Sequence, residues 1–415
     1  MITPLSYYII FNIMEKQLRL NRLIGITVLF TVAVVLSDVF VNIYIWRLKN
    51  NYASLSLYML STYAVVPFIF YANSFIARKL DRVSIYRIGI LFYTAFYLCV
   101  LVLNQKVTDY LILLGVLKGL AMGFYWFGYH VLTFDYTSPQ NRDKFYSITS
   151  VASGITSLLA PPVAGYMIVK LGGYNGYYFI FITSAVLFIG AILMSSSLKS
   201  EPVDHPYRIK DLIFTRDKKW RGVLIAYFFL AARDAITMFL FAVLLVKVTD
   251  SEFTFGKITI LFSAVSITSA YLLGKISKPV HREKLILYGA IIQFAASLVL
   301  LVKIDFIFLV IQGLLFPIGD NLIRIPISAY SMDVISESDP EGKRKMEYLV
   351  ARDLPIAAGR ISMMLFFMFL LQHLPVHGIK ATIFMISLAP FGIWLALRNT
   401  KVKPSKQPPI TVSEA

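Results

Sequence analysis

The 415-residue chain contains a single cysteine, Cys99, which excludes a disulfide framework and a thiolate metal site. Charge is scarce: Asp, Glu, Lys and Arg make up 15% of residues, against roughly a quarter in ordinary soluble domains. No Gly-x4-Gly-Lys-Ser/Thr phosphate loop occurs. The Gly-Lys pairs at Gly256, Gly274 and Gly342 are followed by Ile, Ile and Arg, so direct ATP drive has no support. No His, Cys or acidic cluster has metal-ligand spacing, and no nucleophile–base arrangement can be read. The Thr-Val-Gly-Tyr-Gly filter of potassium channels is missing as well. The expectation is a protein that is not an enzyme and carries no cofactor.

Apolar sequence is abundant. Hydrophobic residues make up 58% of the chain and the mean hydropathy is +0.70. Long apolar runs recur from end to end, which argues against a soluble enzyme and against a soluble domain on one anchor. The runs are continuous and do not alternate, so a barrel is excluded. They predict an all-α integral membrane protein with transmembrane helices near 23–46, 55–77, 88–104, 110–134, 147–170, 177–198, 222–246, 256–274, 285–302, 306–330, 349–371 and 378–397. The stretch Leu5–Met14 is too short to span a bilayer. It reads either as an interfacial segment or as an extension ahead of an initiator at Met14, and no secretory signal precedes the first span.

The net charge of +17 would point to nucleic acid in a soluble protein; here it is a topology signal. Most bases fall in alternate loops: Lys16, Arg19 and Arg22; Arg78 to Arg87; Arg142 and Lys144; the loop up to Arg221; Lys275 to Lys284; Lys343 to Lys345; and the tail after Arg398. The opposite loops hold few, among them Arg47, Lys106, Lys247 and Lys303. This asymmetry puts both termini in the cytoplasm of a cell-membrane protein. The expected organisation is a cytoplasmic segment 1–22, six helices over 23–198, a polar cytoplasmic loop 199–221, six helices over 222–397, and a cytoplasmic tail 398–415.

The two halves echo each other. Leu36-Ser37-Asp38 in span 1 matches Ala232-Arg233-Asp234 in span 7, each with an Asp near mid-span. Lys118-Gly119-Leu120 in span 4 matches Gln312-Gly313-Leu314 in span 10, with His130 and Arg324 each twelve residues on. A duplicated six-span unit, whose equivalent spans line one cavity, accounts for these matches.

This plan resembles the major facilitator superfamily. One motif adds to the resemblance. The family's loop between spans 2 and 3 runs Gly, three residues, Asp, Arg/Lys, one residue, Gly, then bases. Here Ala77 to Arg87 keeps Asp81, Arg82 and Arg87 but replaces both glycines, with Ala77 and Ser84. The resemblance implies two pseudo-symmetric six-helix bundles, a central cavity lined by spans 1, 4, 7 and 10 that opens alternately to each side, and gating by Asp81, Arg82 and Arg87. Ala160-Pro161-Pro162-Val163-Ala164-Gly165 in span 5 is a degenerate form of a small-residue motif found in many exporters of the family. It leans towards export, although helix packing with a proline kink is the stronger reading.

Charges inside the spans carry the most information: Asp38, Lys118, Arg233, Asp234, Asp320, Arg324, Arg352, Asp353 and Arg360. Each costs ~2.5–3.5 kcal/mol near the bilayer centre, so they must pair or face water. Asp320 and Arg324, four apart, can pair on one helix face. Thr27, Thr31, Asp38 and Asn42 form one polar stripe, and Tyr227, Asp234 and Met238 another. Arg233 and Asp234 lie about 100° apart and are expected to face different surroundings. Asp38 and Asp234 are the candidates for proton coupling, because an acid in an apolar span can load and release protons near neutral pH. Candidate solute-binding residues are Asn42, Lys118, Tyr125, His130, Arg233, Asp320 and Arg324. Lys118 either binds an anionic group or snorkels to the outer interface. Arg352 and Asp353, near the cytoplasmic end of span 11, are expected at the inside gate. The stripe Gly115, Gly119 and Gly123 reads as helix packing.

The resulting expectation is a monomeric secondary transporter that moves a small-molecule substrate by alternating access. Its partners are the lipid bilayer and protons, with no nucleic acid, and it is an exporter by preference. The alternatives are a uniporter, or a lipid-handling or non-transport membrane protein that retains the fold.

Overall fold

The computed structural model describes residues 4–77, 79–137, 142–198, 209–276, 279–339 and 344–398. Lys278, Lys343 and the tail from Asn399 lie outside these, as do residues 199–208 of the central loop. Among the described residues, twelve helices are long and apolar enough to cross a membrane. They are α1 (Pro4–Lys49), α2 (Tyr52–Ile76), α3 (Arg82–Leu103), α4 (Leu111–Tyr136), α5 (Arg142–Leu171), α6 (Asn175–Ser195), α7 (Lys218–Thr249), α8 (Glu252–Ile276), α9 (Arg282–Val302), α10 (Phe306–Ser338), α11 (Lys345–His373) and α12 (Gly378–Leu397).

Several helices start earlier or end later than their apolar runs, because caps and not hydropathy set the ends. Asp81 accepts from Ser84 N at 2.9 Å and starts α3 ahead of its apolar run. Asp217 does the same for α7 through Lys219 N at 2.9 Å, and Asp305 caps α10, whose start at Phe306 coincides with its apolar run, through Phe308 N at 3.2 Å. The backbone of Leu5–Met14 is helical and continues into α1 without interruption. In the central loop, a helical turn at Lys210–Ile213 docks on the second half, where Leu212 accepts from the Trp220 indole at 3.0 Å.

The packing is symmetric. Within the first half, α4 packs on α2 and α3, and α6 on α1 and α3. In the second half, α10 packs on α8 and α9, and α12 on α7 and α9. The halves meet where α2 packs on α11 and α5 on α8, with a smaller contact between α1 and α7. The chain is thus an all-α fold of two pseudo-symmetric six-helix bundles.

Glycines permit the closest approaches. A Cβ on Gly119 would sit 2.6 Å from Thr62 O of α2, and one on Gly123 the same distance from Ile69 Cβ. The α4 stripe is therefore a packing seam against α2. Between the halves, a Cβ on Gly256 of α8 would lie 2.6 Å from Pro162 Cα of α5, and one on Gly165 would lie 2.3 Å from Glu252 O. The Ala160–Gly165 run is accordingly part of the seam between the bundles.

Candidate functional site

A cavity of about 760 Å³ lies between the bundles. Its polar wall includes Asp38 and Asn42 of α1, Lys118 and His130 of α4, Asp320 of α10, and Asp353 and Arg360 of α11. Aromatic and sulfur-bearing side chains, among them Tyr63, Trp126 and Met238, line much of the rest, with aliphatic and hydroxyl side chains between them.

In the first half, Asp38 and Lys118 form an ion pair, and the Tyr97 hydroxyl donates to Asp38 at 3.4 Å. The partners differ in exposure. The Lys118 side chain is 4% exposed and that of Asp38 is 41% exposed. Lys118 does not snorkel. Its ammonium is enclosed by the rings of Tyr93 (4.6 Å), Phe96 (4.9 Å) and Tyr97 (5.5 Å), whose faces attract a cation. Asn42 contributes a buried Oδ1 that has no hydrogen-bond partner among the described residues. Thr27 and Thr31, on the same stripe, bond instead to carbonyls one turn back, at 2.8 and 2.7 Å.

The second half holds a closed network. Arg233 Nη2 donates to Asp234 Oδ1 at 2.7 Å and to Asp320 Oδ1 at 2.6 Å, and its Nη1 donates to Gln293 Oε1 at 2.7 Å. Arg324 donates to Asp234 Oδ2 at 3.0 Å and, from Nε, to Asp320 Oδ2 at 3.0 Å. Two arginines and two aspartates thus neutralise each other, with the expected Asp320–Arg324 pair as one edge. Arg233 also borders a void of about 30 Å³ beside Gln293 and Gln312, room for about one water.

Several expectations need correction. Arg233 and Asp234 do not face separate surroundings, because the long Arg233 side chain folds back onto its neighbour's carboxylate. Tyr125 does not face the cavity. It is buried in the first bundle, stacked on Phe30 with centroids 3.4 Å apart, and the cavity-facing ring is its neighbour Trp126. Of the proposed inside-gate pair, Arg352 donates to the Tyr227 hydroxyl at 3.4 Å, whereas Asp353 lines the cavity. Helix α11 starts at Lys345, which carries Asp353 two turns inward. The partners described for Asp81, Arg82 and Arg87 lie within the first bundle. Asp81 caps α3, Arg82 pairs with Asp135 of α4, and Arg87 donates to Ser195 O at 2.6 Å.

Sequence reasoning missed one cross-bundle cluster, at the end of the molecule away from the termini. Arg47 of α1 pairs with Asp250, the left-handed cap of α7 (φ 49°), and with Glu252 of α8 at 2.9 Å. Glu252 also accepts from the Tyr177 hydroxyl of α6 at 2.6 Å. The available signal was a base and two acids in facing loops on one side.

Comparison with known proteins agrees with this architecture. The family model described as Major Facilitator Superfamily matches residues 23–341. A protein of Bacillus subtilis (strain 168) called uncharacterized protein YqgE is 32% identical over 378 residues, covering 90% of this chain and 88% of its own. Among solved structures, a point mutant of the nucleoside transporter NupG has a TM-score of 0.67 at 14% identity, covering 91% of this chain and 98% of its own. A bacterial homologue of the iron transporter ferroportin, in its outward-facing state, has a TM-score of 0.64 at 13% identity, with coverage of 91% and 98%. At such identities these two structures speak to the fold alone.

Proposed function

This chain belongs to the Major Facilitator Superfamily of membrane transporters, and we propose that it moves a small organic solute by proton-coupled alternating access, with export the preferred direction. In this reading Asp38 is the proton carrier and Asp234 the second candidate. Asn42, His130 and Asp320 contact the solute on the cavity wall, Lys118 acts through Asp38, and Arg233 and Arg324 act through Asp320. The protein works as a monomer in the cell membrane with both termini in the cytoplasm, as the excess of basic residues in alternate loops supports.

The observation that carries this reading is the asymmetry of the Asp38–Lys118 pair. The carboxylate opens on the cavity while the base paired with it is buried behind it. A proton or a solute cation arriving from the cavity reaches Asp38 first. It then competes with Lys118 for the carboxylate, and this competition is how binding and protonation become linked.

The test uses inverted membrane vesicles with an acid interior, a compound library and a pH-sensitive dye. The expected result is compound-specific proton release that disappears in Asp38→Asn at unchanged expression. Unchanged proton-linked flux in Asp38→Asn would sink the assignment of Asp38. Solute flux indifferent to the pH gradient would replace coupling with uniport.

A further inference from the structure

Two charged residues on the cavity wall stand apart from both networks. Asp353 and Arg360 each face the cavity from α11. Among the described residues, Asp353 Oδ2 and Arg360 Nε are buried without a hydrogen-bond partner. Neither residue forms an ion pair among the described residues, whereas Asp38, Lys118, Asp234, Asp320 and Arg324 all do. The Arg360 guanidinium is held over the Tyr63 ring of α2, 5.2 Å from its centroid, and so is positioned without a direct ion pair among the described residues. Arg352, next to Asp353, is turned to Tyr227, with its guanidinium 4.7 Å from that ring. Both residues are half-buried, and a charge with a polar atom buried and unpartnered is costly unless something completes it. Two of opposite sign on one helix edge form an incomplete pair of partners.

The spacing defines what would complete them. Seven residues return to nearly the same helix face after roughly 10 Å of rise. The long arginine side chain leans back towards the helix start. The groups therefore present a carboxylate and a guanidinium about 5–10 Å apart. Between them Ile356 and Ala357 also line the cavity, so the intervening wall is apolar. A lone anion or a lone cation would satisfy one group and leave the other unpaired.

We propose that Asp353 and Arg360 form a binding edge for a zwitterionic solute, with its ammonium on Asp353, its carboxylate on Arg360, and an apolar spacer between them against Ile356 and Ala357. Short ω-amino acids and dipeptide-sized zwitterions are the matching class. The inference rests on the reading of this cavity as the solute site, but not on proton coupling or direction.

The test is equilibrium binding to the purified full-length protein in nanodiscs, followed by thermal shift and by tryptophan fluorescence, to which Trp126 on the cavity wall contributes. The probes are 6-aminohexanoate, hexanoate and hexylammonium. The wild type should bind 6-aminohexanoate about tenfold or more tightly than either singly charged probe. Asp353→Asn should erase the preference for 6-aminohexanoate over hexanoate, and Arg360→Gln the preference over hexylammonium. The double variant, which removes both unpaired charges, should fold at least as well as the wild type and bind all three probes equally weakly. Asp353→Glu should restore the zwitterion preference in part. Equal affinity of the wild type for the three probes, no saturable binding of 6-aminohexanoate, or an unchanged preference in both single variants overturns the proposal. Because no flux is measured, loss of proton coupling in vesicles would leave this result intact, and the two readings fail separately.

Discussion

Each bundle buries charge beside the cavity, and the two do it differently. The first uses one acid and one base, with the base in an aromatic cage and the acid open to the cavity. The second uses two acids and two bases, with Gln293 as a further acceptor, in a network where each carboxylate meets both guanidiniums. An ion pair in a low-dielectric site is stable only if the remaining lone pairs and protons are also satisfied. The second cluster comes closer to that condition, since both carboxylates accept from both guanidiniums, with Gln293 Nε2 left without a partner among the described residues and Asp320 as its edge on the cavity. The first is further from it, since a carboxylate with one ammonium and one tyrosine donor has lone pairs to spare. A cluster that is nearly complete supports the bundle, and one left open to the cavity can respond to what enters it. The duplicated halves therefore carry related positions, Asp38 and Asp234, in different states of completion.

The largest expected effect comes from opening the closed network. Arg233 serves three acceptors and is buried. Arg233→Met leaves two carboxylates to share Arg324. Breaking a buried pair by removing one partner costs about 3–5 kcal/mol, so the variant should lose most of its folded population in detergent at physiological temperature. Size-exclusion profiles and thermal melting of the purified protein check this. A melt within a few degrees of the wild type would mean that the network does not hold the second bundle together.

The open pair should behave otherwise. Asp38→Asn leaves Lys118 charged among three rings, a destabilisation of about 1–3 kcal/mol because the cavity can admit water. In the double variant Asp38→Asn/Lys118→Met the uncompensated charge is gone. Its melting temperature should return to near the wild-type value while proton-linked flux stays absent. Recovery of stability without recovery of flux would separate the two roles of Asp38. If the double variant is as unstable as the single one, the first cluster is structural too and the contrast between the bundles collapses.

What could be seen beforehand follows the range of the interaction. The twelve helices were legible because an apolar run of span length has few other fates. Asp320 and Arg324 were legible as a pair because helix geometry brings i and i+4 together. Arg233 and Asp234 were not, because a separation of about 100° describes backbone direction, and a guanidinium on a long stem can fold back across it. The face of Tyr125 is not legible because rings occupy every position from Phe124 to Phe127, so periodicity carries no information there. The Arg47 cluster joins residues more than 200 positions apart, through loops whose approach only the packing of α5 on α8 determines.

That cluster gives the smallest expected effect. Arg47 joins the first bundle to Asp250 and Glu252 of the second, close to where Gly256 meets Pro162. If the bundles separate at this end during the transport cycle, the ion pairs must break, and their contribution sets part of the balance between states. The Asp250 side chain is 84% exposed, so solvent screens that contact, and the more buried Glu252 carries most of the contribution. About 1 kcal/mol is a reasonable magnitude, or roughly a fivefold change in population. Spin labels at the exposed Asn51 and Lys257, in a Cys99→Ser background, would report the separation by pulsed electron resonance. In Arg47→Ala the longer-distance population should grow about fivefold, and the charge reversal Arg47→Glu should shift it further. A distribution identical to the wild type in both variants would mean that close helix contact at Gly256 and Gly165 alone holds this end. Gly256→Val would then be the variant that opens it.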